Sequence, residues 1–234
     1  MTMTTITTTD AAALYRLLAW LSPAYPIGAY TYSHGLETAV EEGLVRNRAD
    51  LVDYVATALR VGAGRVDGAL LAAAWRAAEA NDDAALDELA VLAAAWRGTA
   101  ETALETMQQG TAFTSVTLSA WPEPRFAAFA ARHPRSLAHP VAFGAAAACH
   151  GIPLRPALAG WLAAFAANLV SAGLRLVPLG QTDGQIATAA LHPVVDAAAD
   201  AAMAAHIDSV GSAAPALDLL SMRHETQYTR LFRS

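Results

Sequence analysis

From Asp10 to Pro215 the chain is a succession of alanine-rich stretches whose larger apolar residues recur three and four positions apart, cut at intervals by proline or glycine. That spacing places the apolar residues on one face of a helix, whereas a half-buried strand requires strict alternation. No run of alternating residues long enough for a strand occurs, so no sheet is expected. The pattern predicts an all-α, single-domain bundle of roughly eight to ten helices without an internal repeat. Residues 1–9 are a threonine-rich lead expected to be disordered. Residues 10–220 form the helical domain, and residues 221–234 form a C-terminal tail of different character.

Punctuation residues set the expected boundaries. Asp10 can cap a first helix carrying Leu14, Leu17, Leu18 and Leu21, which Pro23 stops. Between Ser22 and Gly35 lie two prolines, two glycines and three tyrosines, a composition that suits a structured connection because a free linker would expose its aromatics. A short helix from near Ser33 ends at Gly43, a suitable residue to follow a C-cap. Asn47 caps a helix carrying Leu51, Val52, Val55 and Leu59. Gly62, Gly64 and Gly68 are expected to break the pattern before it resumes over 67–79. The stretch 83–121 reads as helical, weakened at Gly98 and Gly110. Further helices are expected over 124–132, over 140–149, from Pro156 to Val177, and from Gly184 to Ile207 with a kink or restart at Pro193. Residues 179–185 read as a loop, and 211–215 as a flexible connection to the tail.

Composition removes several kinds of chemistry. All fifteen basic residues are arginine and none is lysine, so a P-loop lysine, a Schiff-base lysine and a lysine general base are excluded. Guanidinium groups stay protonated and suit recognition better than proton transfer. A net charge of −6 argues against general binding to nucleic acid or to an anionic membrane. Cys149 alone cannot form an internal disulfide, and the N-terminal sequence has no signal-peptide pattern. The apolar run 157–177 contains Gly160, Asn168, Ser171, Gly173 and Arg175 and reads as a buried helix. A cytoplasmic protein, with neither nucleic acid nor membrane as partner, is expected.

Few residues stand in a catalytic pattern. His224-Glu225 begins like H-E-x-x-H, but Tyr228 stands where a zinc protease requires its second imidazole. Cys149 and His150 are adjacent and point apart on a helix, so Cys149 reads as a buried cysteine at a helix end. The seven histidines include no i, i+4 pair. Gly62-Ala63-Gly64 lacks the spacing and the preceding strand of a dinucleotide fingerprint. Neither a catalytic residue nor a metal site nor a cofactor is expected.

Two segments carry information of another kind. In the tail, a helix through residues 221–234 would align His224, Tyr228 and Leu231, with Phe232 flanking, into an aromatic face, and would direct Arg223, Arg230 and Arg233 away from it. Such a segment suits a partner's groove, and it equally suits docking onto its own bundle. In the loop, Gly180 and Gly184 permit special backbone geometry, Asp183 can cap the next helix, and Gln181 and Gln185 are free to hydrogen-bond a partner.

Three stretches together closely resemble one family. L-L-A-W-L-S-P-A-Y-P-I-G-A-Y-T-Y-S-H-G-L-E, V-P-L-G-Q-T-D-G-Q and S-M-R-H-E-T-Q-Y-T-R-L-F-R-S are similar to the UreF family of urease accessory proteins, from Leu14 to Ser234 and in the same order. The resemblance implies an all-α, usually dimeric adaptor without catalytic activity. It would bridge a UreD-type (UreH) scaffold and a UreG-type GTPase while nickel is delivered to the urease apoprotein. It further implies a tail that becomes ordered when the UreD-type partner binds. Carried over by position, His224, Glu225, Tyr228, Arg230 and Phe232 would mediate assembly through the tail. Gly180, Gln181, Asp183 and Gln185 would lie at a partner or dimer surface. Ser22, Pro26, Gly28, Tyr32, Ser33, Gly35 and Glu37 would build a segment more structural than contacting. The alternative function is a metallochaperone that binds nickel and passes it on directly. The chain departs from the family at Glu101-Thr102-Ala103, where Glu-Leu-Arg is usual, and at Tyr25, where an aliphatic residue is usual.

Overall fold

The computed structural model describes residues 10–234; the lead of residues 1–9 lies outside them. Within this range the chain forms α-helices and two short 3-10 turns, with no strand, in agreement with the all-α expectation. The helices are α1 (Ala11–Trp20), α2 (Leu36–Glu41), α3 (Arg48–Arg60), α4 (Ala63–Glu79), α5 (Asp83–Ala95), α6 (Ala100–Ala120), α7 (Pro124–Arg132), α8 (His139–Cys149), α9 (Leu154–Leu176), α10 (Gln181–Ala204) and α11 (Pro215–His224). They number ten when the single-turn-and-a-half α2 is set aside.

The centre is α8, whose residues from His139 to Ala148 are all buried. A helix that is apolar on every side belongs in a core, and α8 lies against α4, α6, α7 and α9. Its small side chains set the spacing. A Cβ placed on Gly144 would meet the Leu71 carbonyl oxygen at 2.4 Å, so α4 and α8 touch backbone to backbone. Helix α9 is long and apolar enough to cross a membrane, yet half of its most apolar window is buried within the fold, where it packs on α10 and α3.

Local capping follows the sequence. Asn47 Oδ1 accepts the Asp50 N–H at 3.1 Å and starts α3. Gly43 takes a left-handed φ of 73° after α2, and the N–H groups of Gly43 and Leu44 return to Val40 and Ala39 at 3.0 and 2.8 Å, which completes a Schellman closure.

Several glycines act otherwise than expected. Gly64 and Gly68 do not break a helix; α4 runs through both. Gly110 lies inside an uninterrupted α6, where a Cβ would stand 1.9 Å from the Leu137 carbonyl oxygen. Each is a place where another helix or loop comes too close for a side chain. Helix α10 likewise passes through Pro193. Helix α1 buries only the line Ala13, Leu17 and Trp20, while Leu14 and Leu18 face outward. The connection into α11 is pinned, with Ala213 N–H donating to the Val61 carbonyl at 2.7 Å. The division between residues 220 and 221 falls within α11, not at a boundary.

Candidate functional site

Helix α11 ends at His224, so the continuous helical face of His224, Tyr228 and Leu231 does not form. The chain instead turns and runs back over the bundle as a succession of turns and bends. What turns it is a set of carboxylates supplied by α2 and α6. His224 is 0 % exposed. Its Nδ1 lies 3.0 and 2.9 Å from the two Glu101 oxygens, and its Nε2 lies 3.1 Å from Glu37 Oε2.

Glu37 also accepts the backbone N–H groups of Leu231 at 2.7 Å and of Phe232 at 2.9 Å. One carboxylate thus receives two main-chain donors from a segment that has no helix or strand to satisfy them. Arg230 Nη1 donates to Glu101 Oε1 at 3.1 Å. Burial pushes the Glu101 carboxyl above its usual range, while the hydrogen bond and charge of His224 and the charge of Arg230 pull it back.

Phe232 is buried beneath the Arg175 guanidinium, which stands 4.2 Å above its ring in a cation–π arrangement. Arg233 N–H donates to the Thr31 carbonyl at 2.7 Å, and its side chain donates to Gln108 Oε1 at 3.2 Å. At the end of the segment, Ser33 donates both its N–H and its hydroxyl to the Ser234 carbonyl oxygen. Ser234 Oγ lies 3.3 Å from Glu105 Oε2. Thr38 donates to Gln227 Oε1 at 2.8 Å.

The expected tail residues therefore separate into two kinds. His224 and Phe232 are buried anchors, and Arg230 spans the edge. Glu225 and Tyr228 are exposed, and no described residue bonds to either side chain; Leu231 is also exposed.

In the first segment, Ser33 and Glu37 contact the tail directly, beyond the structural part expected of them. Gly35 has a φ of 76°, and a Cβ there would stand 2.7 Å from Ser221 N, so α11 rests on bare backbone. Tyr32 donates to Gln108 at 2.6 Å. Gly28 takes a φ of 74° at the turn, Ser22 Oγ accepts the Ala24 N–H at 3.2 Å, and Pro26 is exposed.

The 179–185 loop is shorter than expected, because α10 begins at Gln181. Asp183 does cap it, from the first turn, accepting the Gly180 N–H at 3.2 Å and a 2.6 Å bond from Arg48. Gly184 is helical and packs on Leu174, with no special φ. Gln181 and Gln185 are exposed. No hydrogen bond or ion pair among the described residues joins this cluster to the tail.

Sequence reasoning missed Glu101, Glu105, Gln108 and Arg175 as holders of the tail. Glu101 and Glu105 share a face of α6 at i, i+4, which is the signal that was available. Among the described residues no three His, Cys, Asp or Glu side chains are grouped to hold a metal ion. Burial, with Glu123 nearby, pushes the Cys149 thiol up to about 11.

A family model described as UreF matches residues 45–192. A urease accessory protein UreF of Granulibacter bethesdensis is 68% identical over 226 residues, covering 97% of this chain and 96% of that protein. The chain belongs to the UreF family of urease accessory proteins. Other UreF proteins, from Rhodopseudomonas palustris strain HaA2 and Methylorubrum populi, are 51% and 52% identical over 225 and 219 residues. They cover 96% and 94% of this chain, and it covers 95% and 98% of them. The UreF model stops before α11, so the tail itself lies beyond the part that it matches, whereas Glu101, Glu105, Gln108 and Arg175 lie within it.

Proposed function

We propose that this UreF-family chain is a cytoplasmic, non-enzymatic adaptor. It would work as a homodimer bridging a UreD/UreH-type scaffold and a UreG-type GTPase while nickel is inserted into the urease apoprotein. The observation that carries the reading is the two-sided tail. Its inner side is fixed by Glu37, Glu101 and Glu105, which orders a segment without secondary structure of its own. Its outer side presents Glu225, Tyr228, Arg230 and Leu231 to solvent.

Ordering a segment before it binds removes part of the entropy lost in complex formation. Aromatic and arginine side chains on such a segment are the types that dominate interface energetics. Gly180, Gln181, Asp183 and Gln185, at the start of α10, form a second polar surface suited to the dimer or to another partner.

Co-purification with the UreD-type and UreG-type proteins tests the reading. Retention of both partners by the full chain, and loss of the UreD-type partner from the double variant Tyr228→Ala/Leu231→Ala with helix content unchanged, are expected. A full chain that retains neither partner would overturn it.

A further inference from the structure

We propose that the cavity enclosed by α1, the 22–30 loop, α6, α8 and α9 binds a small uncharged aromatic molecule bearing a hydroxyl. The cavity holds about 470 Å³, a volume typical of small-molecule sites. Its walls are rings and branched side chains: Trp20, Tyr25, Ile27, Phe143, Trp161 and Phe165. Trp161 and Phe165 stack at 7° with centroids 6.0 Å apart. Flat walls of this kind admit a flat ring.

One end of the cavity is polar and incompletely used. His139 and Gln109 both line it and are 8 % and 7 % exposed. The ring nitrogens of His139 form no hydrogen bond with any described residue, and the ring sits among Phe113, Phe143 and Trp161. Gln109 donates its amide to Glu105 at 2.8 Å, which leaves its carbonyl oxygen without a donor among the described residues. The two residues border the same cavity, and the backbone N–H of His139 donates to Thr106 Oγ1 at 3.3 Å, one turn before Gln109 on α6. Buried polar groups are nearly always hydrogen-bonded, so a pair left free beside a cavity points to an occupant that supplies the partner.

The charge of the site selects the occupant. Glu105 is a carboxylate on the wall, and its oxygens are already engaged by His34, Gln109 and Ser234. Burial, with the Arg97 charge nearby, brings His139 down to about 3, so its ring is uncharged at neutral pH. A neutral imidazole offers one donor and one acceptor, and the Gln109 carbonyl offers another acceptor. A hydroxyl satisfies such a set because it both gives and accepts. An anion would meet the Glu105 carboxylate, and no arginine is among the described residues that line the cavity. The unpartnered indole N–H groups of Trp20 and Trp161 add neutral donors that suit a hydroxyl oxygen. The inference is independent of the adaptor reading, since it concerns the chain without partners.

Titration of the isolated chain at pH 7.5, followed by fluorine NMR, tests it with 4-fluorophenol, 4-fluorotoluene and 4-fluorobenzoate. Saturable one-site binding of 4-fluorophenol is expected, about five- to tenfold tighter than 4-fluorotoluene, as one net hydrogen bond implies. No saturable binding of 4-fluorobenzoate is expected. His139→Phe keeps the ring and should bring the phenol and toluene affinities together, while Ala164→Trp should fill the cavity and abolish both. Absence of saturable 4-fluorophenol binding to the wild-type chain, or equal affinity for phenol and toluene, would overturn the proposal. So would unchanged binding in an Ala164→Trp protein with native helix content. If a variant fails to fold, the wild-type probe series decides by itself.

Discussion

Glu37 receives two backbone N–H groups and an imidazole nitrogen, all from residues nearly two hundred positions away. Hydrogen bonds to a charged acceptor contribute about 1.5–3 kcal/mol each. Glu37→Gln removes the charge and turns an amide donor toward other donors. We expect amide exchange at Leu231 and Phe232 to accelerate by at least about tenfold, with α4 and α8 still protected; unchanged exchange in the tail would refute this role for Glu37. Arg230→Ala should act in the same direction and more weakly, because its pair with Glu101 is half in solvent.

Two buried histidines affect pH dependence in opposite directions. His139 is held down to about 3 from an ordinary 6.5. Between these values the unfolded chain binds the extra proton, so stability falls as pH falls, by about 1.4 kcal/mol per pH unit at full effect. His139→Phe should flatten that acid-side slope in urea denaturation measured from pH 6.5 down to pH 4.5. Burial would lower His34 too, but the charge and hydrogen bond of Glu105 outweigh it and leave His34 raised. Its contribution is present below 6.5 and is lost as pH rises through its folded value. His34→Gln should therefore weaken the decline on the alkaline side.

At the scale of elements, the backbone contact between α4 and α8 gives a decisive test. Alanine is favoured over glycine inside a helix by about 1 kcal/mol. At Gly144, however, the added methyl meets a main-chain carbonyl that cannot rotate away. Gly144→Ala should thus destabilise by about 1–3 kcal/mol, read from the urea midpoint; a stabilised variant would show that the helices can separate at no cost. The same contrast explains what the sequence disclosed. Asn47, Gly43 and Pro124 announce helix ends because their partners lie within four residues. Gly68 and Gly110 mislead because the reason for each is a neighbour far away in the chain, Ala202 and Leu137, while Gly64 makes room for the backbone of Ala58 and Leu59 at the end of α3. Glu101 and Glu105 resemble ordinary helix-surface carboxylates until the tail arrives from 123 or more residues downstream. The all-α class was legible in the spacing; the clamp on the tail was not, since the i, i+4 spacing of Glu101 and Glu105 is shared by many exposed helix pairs.

For the molecule as a whole, the tail joins three regions that are distant in sequence: the 31–38 segment, α6 and α9. Removing residues 225–234 leaves α11 complete, with His224 still placed between Glu37 and Glu101. Such a truncation should retain its helical circular dichroism and lose stable complex formation with a UreD-type partner. Retained assembly would show that the partner reads another surface. A cut at residue 220 is a poorer test, because it also removes the last turn of α11 and strips His224 from two buried carboxylates.

The bond between Ser33 and Ser234 spans 201 residues, which has a consequence for the order of events in folding. Closing a loop of that length rewards the chain only after the helices that frame it are assembled. The clamp should therefore be the last structure to form during synthesis, and opening it requires no disturbance of the core. A newly made chain would then present a finished bundle with vacant carboxylates for a short interval, and a partner arriving in that interval would meet a different surface from one arriving later.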